Sequence, residues 1–438
     1  MKEPIQKDPT GSRPEELMVK KHRLKVLLGG IPLGCNNIGD EAILASAVSI
    51  FRELFSAVEI TVCTADPATS ERLQVQCAPL YGFDPALRLS GFARLAAEHD
   101  LYCWCGATGL SDYPAVGVNL LKAAQKKGVP TFVWGVGMDA QFNPAHFRIA
   151  GKKEKLLKLA GFLTFRSIDF VALGERWLIK RIYARLKDAL EHCRLVVLRD
   201  KESLDCLQKS GFVNAIYAAD SAIYQETAQI SPIRKIAGVR KIGFCISAQR
   251  QLMDEQSLIE LWHRLQTKGC HIVFIPMNPI TDRTLMERLA KTLDPQKIEW
   301  VNSTLPADVQ AAAQCCEVIV SSRLHLLILA ANVRTPLIGI GRGSKISNFL
   351  KLFNLTSAGS VEHCNFAKIE AEIERFHAGD DSAFKKRAEN VYAQMRQRLD
   401  FAKNILKTEI LRLQSGEDFL TTKNTKRHEK NHGSGDEC

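Results

Sequence analysis

The chain has 438 residues, 46% of them hydrophobic and 24% charged. That is longer than one core ordinarily organises and too apolar for a disordered chain, so two domains of roughly 150 to 200 residues are expected. A formal charge of +11 points to anionic partners, while the lack of zinc-finger spacing, RNP-like aromatic runs and long Lys/Arg blocks argues against nucleic acid.

The thirteen cysteines occur singly or as CWC (103–105) and CC (315–316), with no CxxC pair. This is the usage of reduced thiols rather than of a disulfide framework or a zinc site, and no metal is expected. Residues 1–23 are polar and lack the apolar run of a secretory signal. No stretch approaches the ~20 apolar residues that span a bilayer. The expectation is a cytoplasmic protein, soluble or peripheral at the inner face of the membrane.

From Leu24 onward, short apolar runs alternate with helical stretches. LKVLLGG (24–30) reads as a buried strand, GDEAILASAVSIFREL (39–54) as a helix opening on acidic residues, and VEITVCT (58–64) as the next strand. DLYCWCG (100–106), TFVWGVG (131–137), RLVVLRD (194–200) and AIYAAD (215–220) continue the series, with helices between them. Residues 225–241 are polar, carry Pro and Gly, and read as a linker. The alternation restarts with KIGFCIS, CHIVFIPM, KIEWVNS, EVIVSS and PLIGIG. Strands alternating with helices imply parallel sheets covered on both faces. The expected fold class is therefore α/β, with two Rossmann-like doubly wound domains (24–224 and 242–376) facing a cleft. A basic helix (377–414) and a polar tail of disordered composition (415–438) follow. Ligands in such folds sit beyond the carboxyl ends of strands, which makes the residues just after each strand the candidates.

Four of these junctions carry suggestive side chains. GGIPLGCNNIGDEAIL (29–44) joins the first strand to the first helix. Its glycines allow close backbone approach and the helix N-terminus presents free N–H groups, which suits an anion or a sugar hydroxyl. It is neither GxGxxG nor a P-loop, and Asp40 also reads as the helix N-cap. Arg199 ends RLVVLRD, with Ser203 entering the next helix, and its planar fork suits a carboxylate or phosphate. A surface ion pair with Asp200 is the plainer reading.

SSRLHLLILAA (321–331) puts Arg323 and His325 at the start of an apolar helix. A buried guanidinium is unfavourable unless paired. Flanking Leu324 at a cleft-facing strand end, the two point to a site, whereas a lone histidine there would be a core residue. GRGSK (341–345) adds Lys345 at the next junction, either a phosphate grip or a solvated loop. LGERWLIKRIYARLKDAL (173–190) forms an amphipathic helix with Trp177 and many basic residues. Such a helix suits an anionic membrane surface or the protein's own core.

GCNNIGDEAILASA, RDKESLDCLQKSGF with AAD after it, SSRLHLLILAANVRTPLIGIG and GSK stand in the order of the polysaccharide pyruvyl transferase signature. The chain resembles that family over about residues 24–376, in particular the branch acting in bacterial cell-wall polymer pyruvylation. The resemblance implies a GT-B-like pair of Rossmann-type domains. It also implies transfer of pyruvate from phosphoenolpyruvate to a sugar, or to a lipid-linked glycan, as a ketal, with no cofactor besides that donor. By motif, the donor-binding and catalytic positions are Arg199, Arg323, His325 and Lys345. An imidazole ordinarily titrates near neutrality and suits proton transfer to C3 of the donor, while the cations stabilise its carboxylate and departing phosphate.

The resemblance further implies that Asn37, Gly39, Asp40 and Glu41 shape the acceptor pocket, with Asp40 or Glu41 as base for a sugar hydroxyl. Ser203 and Leu324 join them as substrate contacts. The chain departs from the family at CGATGL (105–110), where a glycine triplet is usual, and at Arg342, where a tyrosine is usual. Two other readings remain at this level. One is a GT-B nucleotide-sugar glycosyltransferase, although no clear Glu to hold a ribose follows EVIVSS. The other is a catalytically silent glycan-binding protein, against which the intact cationic set argues.

Overall fold

Apolar runs of three to six residues, rich in Val, Ile, Leu and aromatics, are too short for a buried helix and pair instead as strands. The computed structural model describes residues 23–140, 142–163, 168–249 and 252–416. In it β1 (Leu24–Gly29), β2 (Val58–Cys63), β3 (Gln76–Ala78), β4 (Leu101–Cys105), β5 (Thr131–Val136), β6 (Leu195–Leu198) and β7 (Ile216–Tyr217) form one sheet. A second sheet holds β8 (Lys241–Cys245), β9 (His271–Phe274), β10 (Ile298–Trp300), β11 (Val318–Ser321) and β12 (Leu337–Gly339). The strand orders are β3-β2-β1-β4-β5-β6-β7 and β10-β9-β8-β11-β12, parallel throughout. β4, β5 and β8 are buried along their whole length, which is why they read as unbroken apolar runs. The three-residue edge strand β3 has no counterpart in the sequence reading, being too short to show a period.

These are two Rossmann-like doubly wound domains facing a cleft, the GT-B-like arrangement. In each, the winding reverses at its first strand, between β1 and β4 and between β8 and β11. Such a reversal splays the flanking loops apart and opens a crevice at the carboxyl edge. Residues 225–240, between the sheets, carry only turns and bends. Across the cleft the Ile38 N–H donates to the Met277 carbonyl at 3.0 Å, and the Ser344 hydroxyl donates to Glu202 at 3.0 Å.

The basic helix expected at 377–414 runs over Asp381–Ser415, after a break at Gly379, where φ is +114°. Phe384, Ala388, Val391, Met395, Leu399, Ala402, Leu406 and Ile410 form its buried stripe at helical spacing. It crosses both domains. Tyr392 donates to the Ile328 carbonyl at 2.5 Å, Arg398 to the Ala218 carbonyl at 3.2 Å, and Lys403 to the Glu53 carboxylate at 2.6 Å. The polar segments expected at 1–23 and 415–438 lie outside the described residues, apart from Arg23, Ser415 and Gly416. Among the described residues, no helix is long and apolar enough to cross a membrane.

Candidate active site

Loops that follow β1, β4, β6, β8, β9, β11 and β12 converge on one cavity of about 240 Å³, so both points of winding reversal contribute to the same wall. Arg199, Arg323, Arg342 and Lys345 supply its positive charge, His325 its imidazole, and Asp40 and Asp112 its carboxylates. Asn37, Thr108, Tyr113, Gln249, Asn278 and Leu324 complete most of the rest.

Arg323 is fixed before any ligand arrives. The Ser321 hydroxyl accepts the Arg323 N–H at 2.9 Å and so turns the chain out of β11 into the helix Leu324–Asn332. The guanidinium then forks onto Asp282, with Nε to Oδ2 at 2.9 Å and Nη2 to Oδ1 at 2.7 Å. Asp282 is fully buried, so the pair satisfies the requirement that a buried charge be matched. The remaining donor, Nη1, reaches Gln249 Oε1 at 3.1 Å on the cavity wall.

His325 sits directly over the first helix of the other domain. A Cβ placed on Gly39 would fall 2.1 Å from His325 Nδ1, so only a glycine leaves room for the ring. Its other nitrogen, Nε2, lies 3.4 Å from Asp220 Oδ2. Burial alone would raise the Asp220 carboxyl, but His325, Arg199 and the Ala222 N–H together outweigh it and hold the group below its ordinary value. An aspartate kept ionised at that distance attracts the imidazole by charge, although Nε2 is not aligned for a hydrogen bond.

The reading of Asp40 as helix cap is corrected by the structure. Asn37 caps the helix Ile38–Leu54, its side chain accepting the Gly39 N–H at 3.3 Å. Asp40 is instead the third helical residue, and Asn37 Nδ2 donates to its Oδ2 at 2.7 Å. Burial pushes the Asp40 carboxyl up to about 6 against the opposing pull of His325, Asn37 and Arg323. A buried carboxyl in that range suits proton transfer near neutrality.

Arg199 is buried at the end of β6, and Gly137 makes its place, since a Cβ there would lie 2.2 Å from Arg199 Nε. Its ion pair with Asp200, Nε to Oδ2 at 3.1 Å, is real, but a second carboxylate, Asp220, stands 3.5 Å from Nη1. The arginine is therefore an interior residue rather than half of a surface pair. Lys345 enters from the helix Ser344–Leu352 and stands 3.6 Å from Asp139. The Thr108 hydroxyl lies 3.4 Å from both Arg199 Nη2 and Lys345 Nζ, and so joins the two cations. Burial pushes the Lys345 ammonium below its usual range, with Arg199 and Arg342 adding to the effect and Asp139 and Asp112 opposing it.

Of the residues expected from sequence, Arg199, Arg323, His325, Lys345, Asn37, Asp40 and Leu324 face one cavity. Gly39 lies beneath the histidine. Glu41 points elsewhere, accepting the Gly34 N–H at 2.9 Å and pairing with Arg72 at 2.5 Å. Ser203 is also outside the cavity wall. Its hydroxyl accepts the Met138 N–H at 2.7 Å and donates to Asp200 at 2.6 Å, bracing the loop behind Arg199.

Asp282, Asp220, Gln249 and Thr108 were not singled out from sequence. Thr108 had a signal, since it lies in the CGATGL departure, and Asp220 closes the AAD that follows the second motif. Asp282 had none, reading as an ordinary polar residue of a surface helix. Among the described residues, no group of three His, Cys, Asp or Glu side chains is placed to hold a metal ion.

The same architecture occurs in several solved structures. A Listeria monocytogenes protein described as a UDP-N-acetylglucosamine 2-epimerase is 13% identical with a TM-score of 0.59, over 90% of this chain and 98% of that one. HepE of Anabaena, solved with UDP-glucose, is 14% identical with a TM-score of 0.53, over 89% and 99%. A UDP-GlcNAc 2-epimerase of Neisseria meningitidis, solved with UDP-GlcNAc, is 11% identical with a TM-score of 0.52, over 88% and 100%. At such identities the likeness is one of fold. No curated protein sequence matches the chain. The family model for polysaccharide pyruvyl transferase matches residues 37–344, a span that begins at the helix cap Asn37 and ends beside Lys345. The chain belongs to the polysaccharide pyruvyl transferase family.

Proposed function

We propose that the cavity binds phosphoenolpyruvate and that the protein transfers its three-carbon unit as a ketal onto a sugar of a cell-surface polysaccharide or of its lipid-linked precursor, at the cytoplasmic side of the membrane. One observation carries this reading: Arg199, Arg323, Arg342 and Lys345 converge with an imidazole and a raised carboxyl in a space of about 240 Å³. Phosphoenolpyruvate bears a phosphate and a carboxylate on three carbons, and needs several cations in a small volume. A nucleotide sugar would have to extend beyond this cavity into the adjoining one of about 470 Å³ that shares Arg199, Leu324 and Lys345, and is the second reading.

In the proposed reaction C3 of the donor takes a proton while a sugar hydroxyl oxygen bonds to C2 and gives up its own proton. A second hydroxyl of the same sugar then bonds to C2 as the C2–O bond to phosphate breaks, and the phosphate carries away the second proton. In this reading His325 or the depressed Lys345 ammonium supplies the proton to C3, and Asp40 accepts one from the sugar. The arginines oppose the charge that gathers on the leaving phosphate. The donor itself brings the reactive enol phosphate, so these steps call for no further cofactor.

The experiment is incubation of the protein with phosphoenolpyruvate and a glycan acceptor, following phosphate release and a pyruvyl mass increment on the glycan. UDP-sugars form the second arm. Release of UDP with glycan extension, and no phosphate from phosphoenolpyruvate, would replace this reading by the glycosyltransferase one.

A further inference from the structure

Exposed apolar side chains are ordinary when scattered, but six crowd into one stretch of this chain. They are Leu156, Leu159 and Phe162 on the helix Lys152–Leu163, then Ile168, then Leu173 and Trp177 on the helix Phe170–Glu191. Leu156 is 67% exposed, Phe162 64% and Trp177 58%. Three- and four-residue spacing keeps them on one side of each helix. The second helix does not need that side to pack. Its core contacts come from Ile179, Ile182, Tyr183, Leu186, Ala189 and Leu190, with Tyr183 edge-on to Phe142 at 4.9 Å.

The apolar side chains are interleaved with base. Lys152, Lys153, Lys155, Arg176 and Lys180 are exposed beside them, and the Arg181 guanidinium lies 5.5 Å over the Trp177 ring. Leucine, phenylalanine and tryptophan among lysines and arginines is the composition of a helix that lies in the head-group layer of a charged bilayer.

Topology places this ridge near the cleft. The helix Phe170–Glu191 leads directly into β6, so its last turn is at the amino edge of the sheet and its first turns point toward the carboxyl edge, where the cavity lies. Its 22 residues extend about 33 Å. The four residues of β6 extend only about 13 Å. The turns carrying Leu173 and Trp177 are therefore at the cavity end of the domain.

We infer that this helical pair docks the protein on an anionic phospholipid surface, with the apolar side chains in the interface and the basic ones over the head groups. Docking there would hold the cleft beside a membrane-borne acceptor. The inference extends the proposed function only in that last respect, and its test reads membrane partitioning rather than pyruvyl transfer.

The full chain is mixed with phosphatidylcholine vesicles with and without 30% phosphatidylglycerol (about one anionic lipid in three, enough for the charge attraction to register) and sedimented. Partitioning to the anionic vesicles is expected, falling as salt is raised, with a blue shift of tryptophan emission that Trp177→Phe removes. Lys155→Glu with Arg176→Glu should lower partitioning by at least about fivefold per side chain, and Leu159→Ser with Trp177→Ser should abolish it. All these side chains are exposed, so thermal unfolding should be unchanged, and phosphoenolpyruvate binding should be retained. Failure to sediment with anionic vesicles at low salt would overturn the inference, as would variants that bind like the parent. A sedimentation-velocity dimer dispersed by Leu159→Ser with Trp177→Ser would overturn it as well, since the ridge would then be an interface between copies.

Discussion

The His325 imidazole rests on Gly39, a residue of the other domain, so closely that a Cβ there would lie 2.1 Å from Nδ1. The catalytic candidate of one domain is thus seated by the glycine of the other. Gly39→Ala should leave the helix Ile38–Leu54 intact, since alanine is the better helix former by about 0.5 to 1 kcal/mol. It should nevertheless push the imidazole away from Asp220 and lower turnover by roughly 100-fold or more, the range of a lost acid–base group. Circular dichroism and phosphate release measure the two effects. Normal turnover in the alanine variant would remove His325 from the mechanism.

Asp40 and Glu41 are neighbours with opposite expected behaviour. Asp40 faces the cavity with its carboxyl pushed up to about 6, so turnover should rise as pH climbs through 6. Asp40→Asn should be slow and lose that limb. The linkage has a definite sign, because the folded chain holds this proton more tightly than the unfolded one. Stability from this group is therefore lost as pH rises from about 4 to about 6, on the order of 1 to 3 kcal/mol. Asp40→Asn should melt higher at pH 7.5, whereas a helix cap replaced in this way would not. Glu41→Gln, which weakens only the contacts to Gly34 and Arg72, should keep turnover within about twofold and lose about 1 kcal/mol of stability.

Asp282 touches no cavity volume of its own, yet it holds Arg323 by two hydrogen bonds at 2.9 and 2.7 Å. Asp282→Ala leaves a buried guanidinium unmatched and should cost about 3 to 5 kcal/mol, read as a melting temperature lower by several degrees. Arg323→Met combined with Asp282→Asn, whose side chain can still accept from the Ala248 or Asn278 N–H groups that Asp282 serves at 3.0 and 3.1 Å, should recover part of that stability while binding of phosphoenolpyruvate stays weak. Recovery of binding in the double variant would show that Arg323 has no part in holding the donor.

Lys345 carries an ammonium that burial holds below its ordinary range. Since a bound dianion requires the charged form, affinity for phosphoenolpyruvate should decline on the alkaline side earlier than a solvent-exposed lysine would allow. Lys345→Met should weaken binding by about 10- to 100-fold, the worth of one charge-assisted hydrogen bond, and abolish the alkaline decline. Calorimetric titration between pH 7 and 10 measures both, and an affinity equal to the parent's would place the donor elsewhere.

The sequence by itself determined the α/β class, the two parallel sheets and the junctions that carry the site. Each of these rests on local apolar periodicity, and parallel strands such as β4, β5 and β8 are buried on both faces and so cannot hide their pattern. Arg323 and His325 were legible for a related reason, since polar side chains at the head of an apolar helix stand out against their surroundings, and Lys345 because it ends a glycine-rich turn just after a strand. Only the tertiary structure decided which carboxylate turns inward, because Asp40 and Glu41 are about 100° apart on one helix and the packing of the whole domain sets its rotation. Only the tertiary structure also joined Asp282 to Arg323, Asp220 to His325 and Gly39 to His325. These pairs are remote in the chain and leave no period, the first because segments after two strands of one sheet meet, the other two because the two domains close on one another.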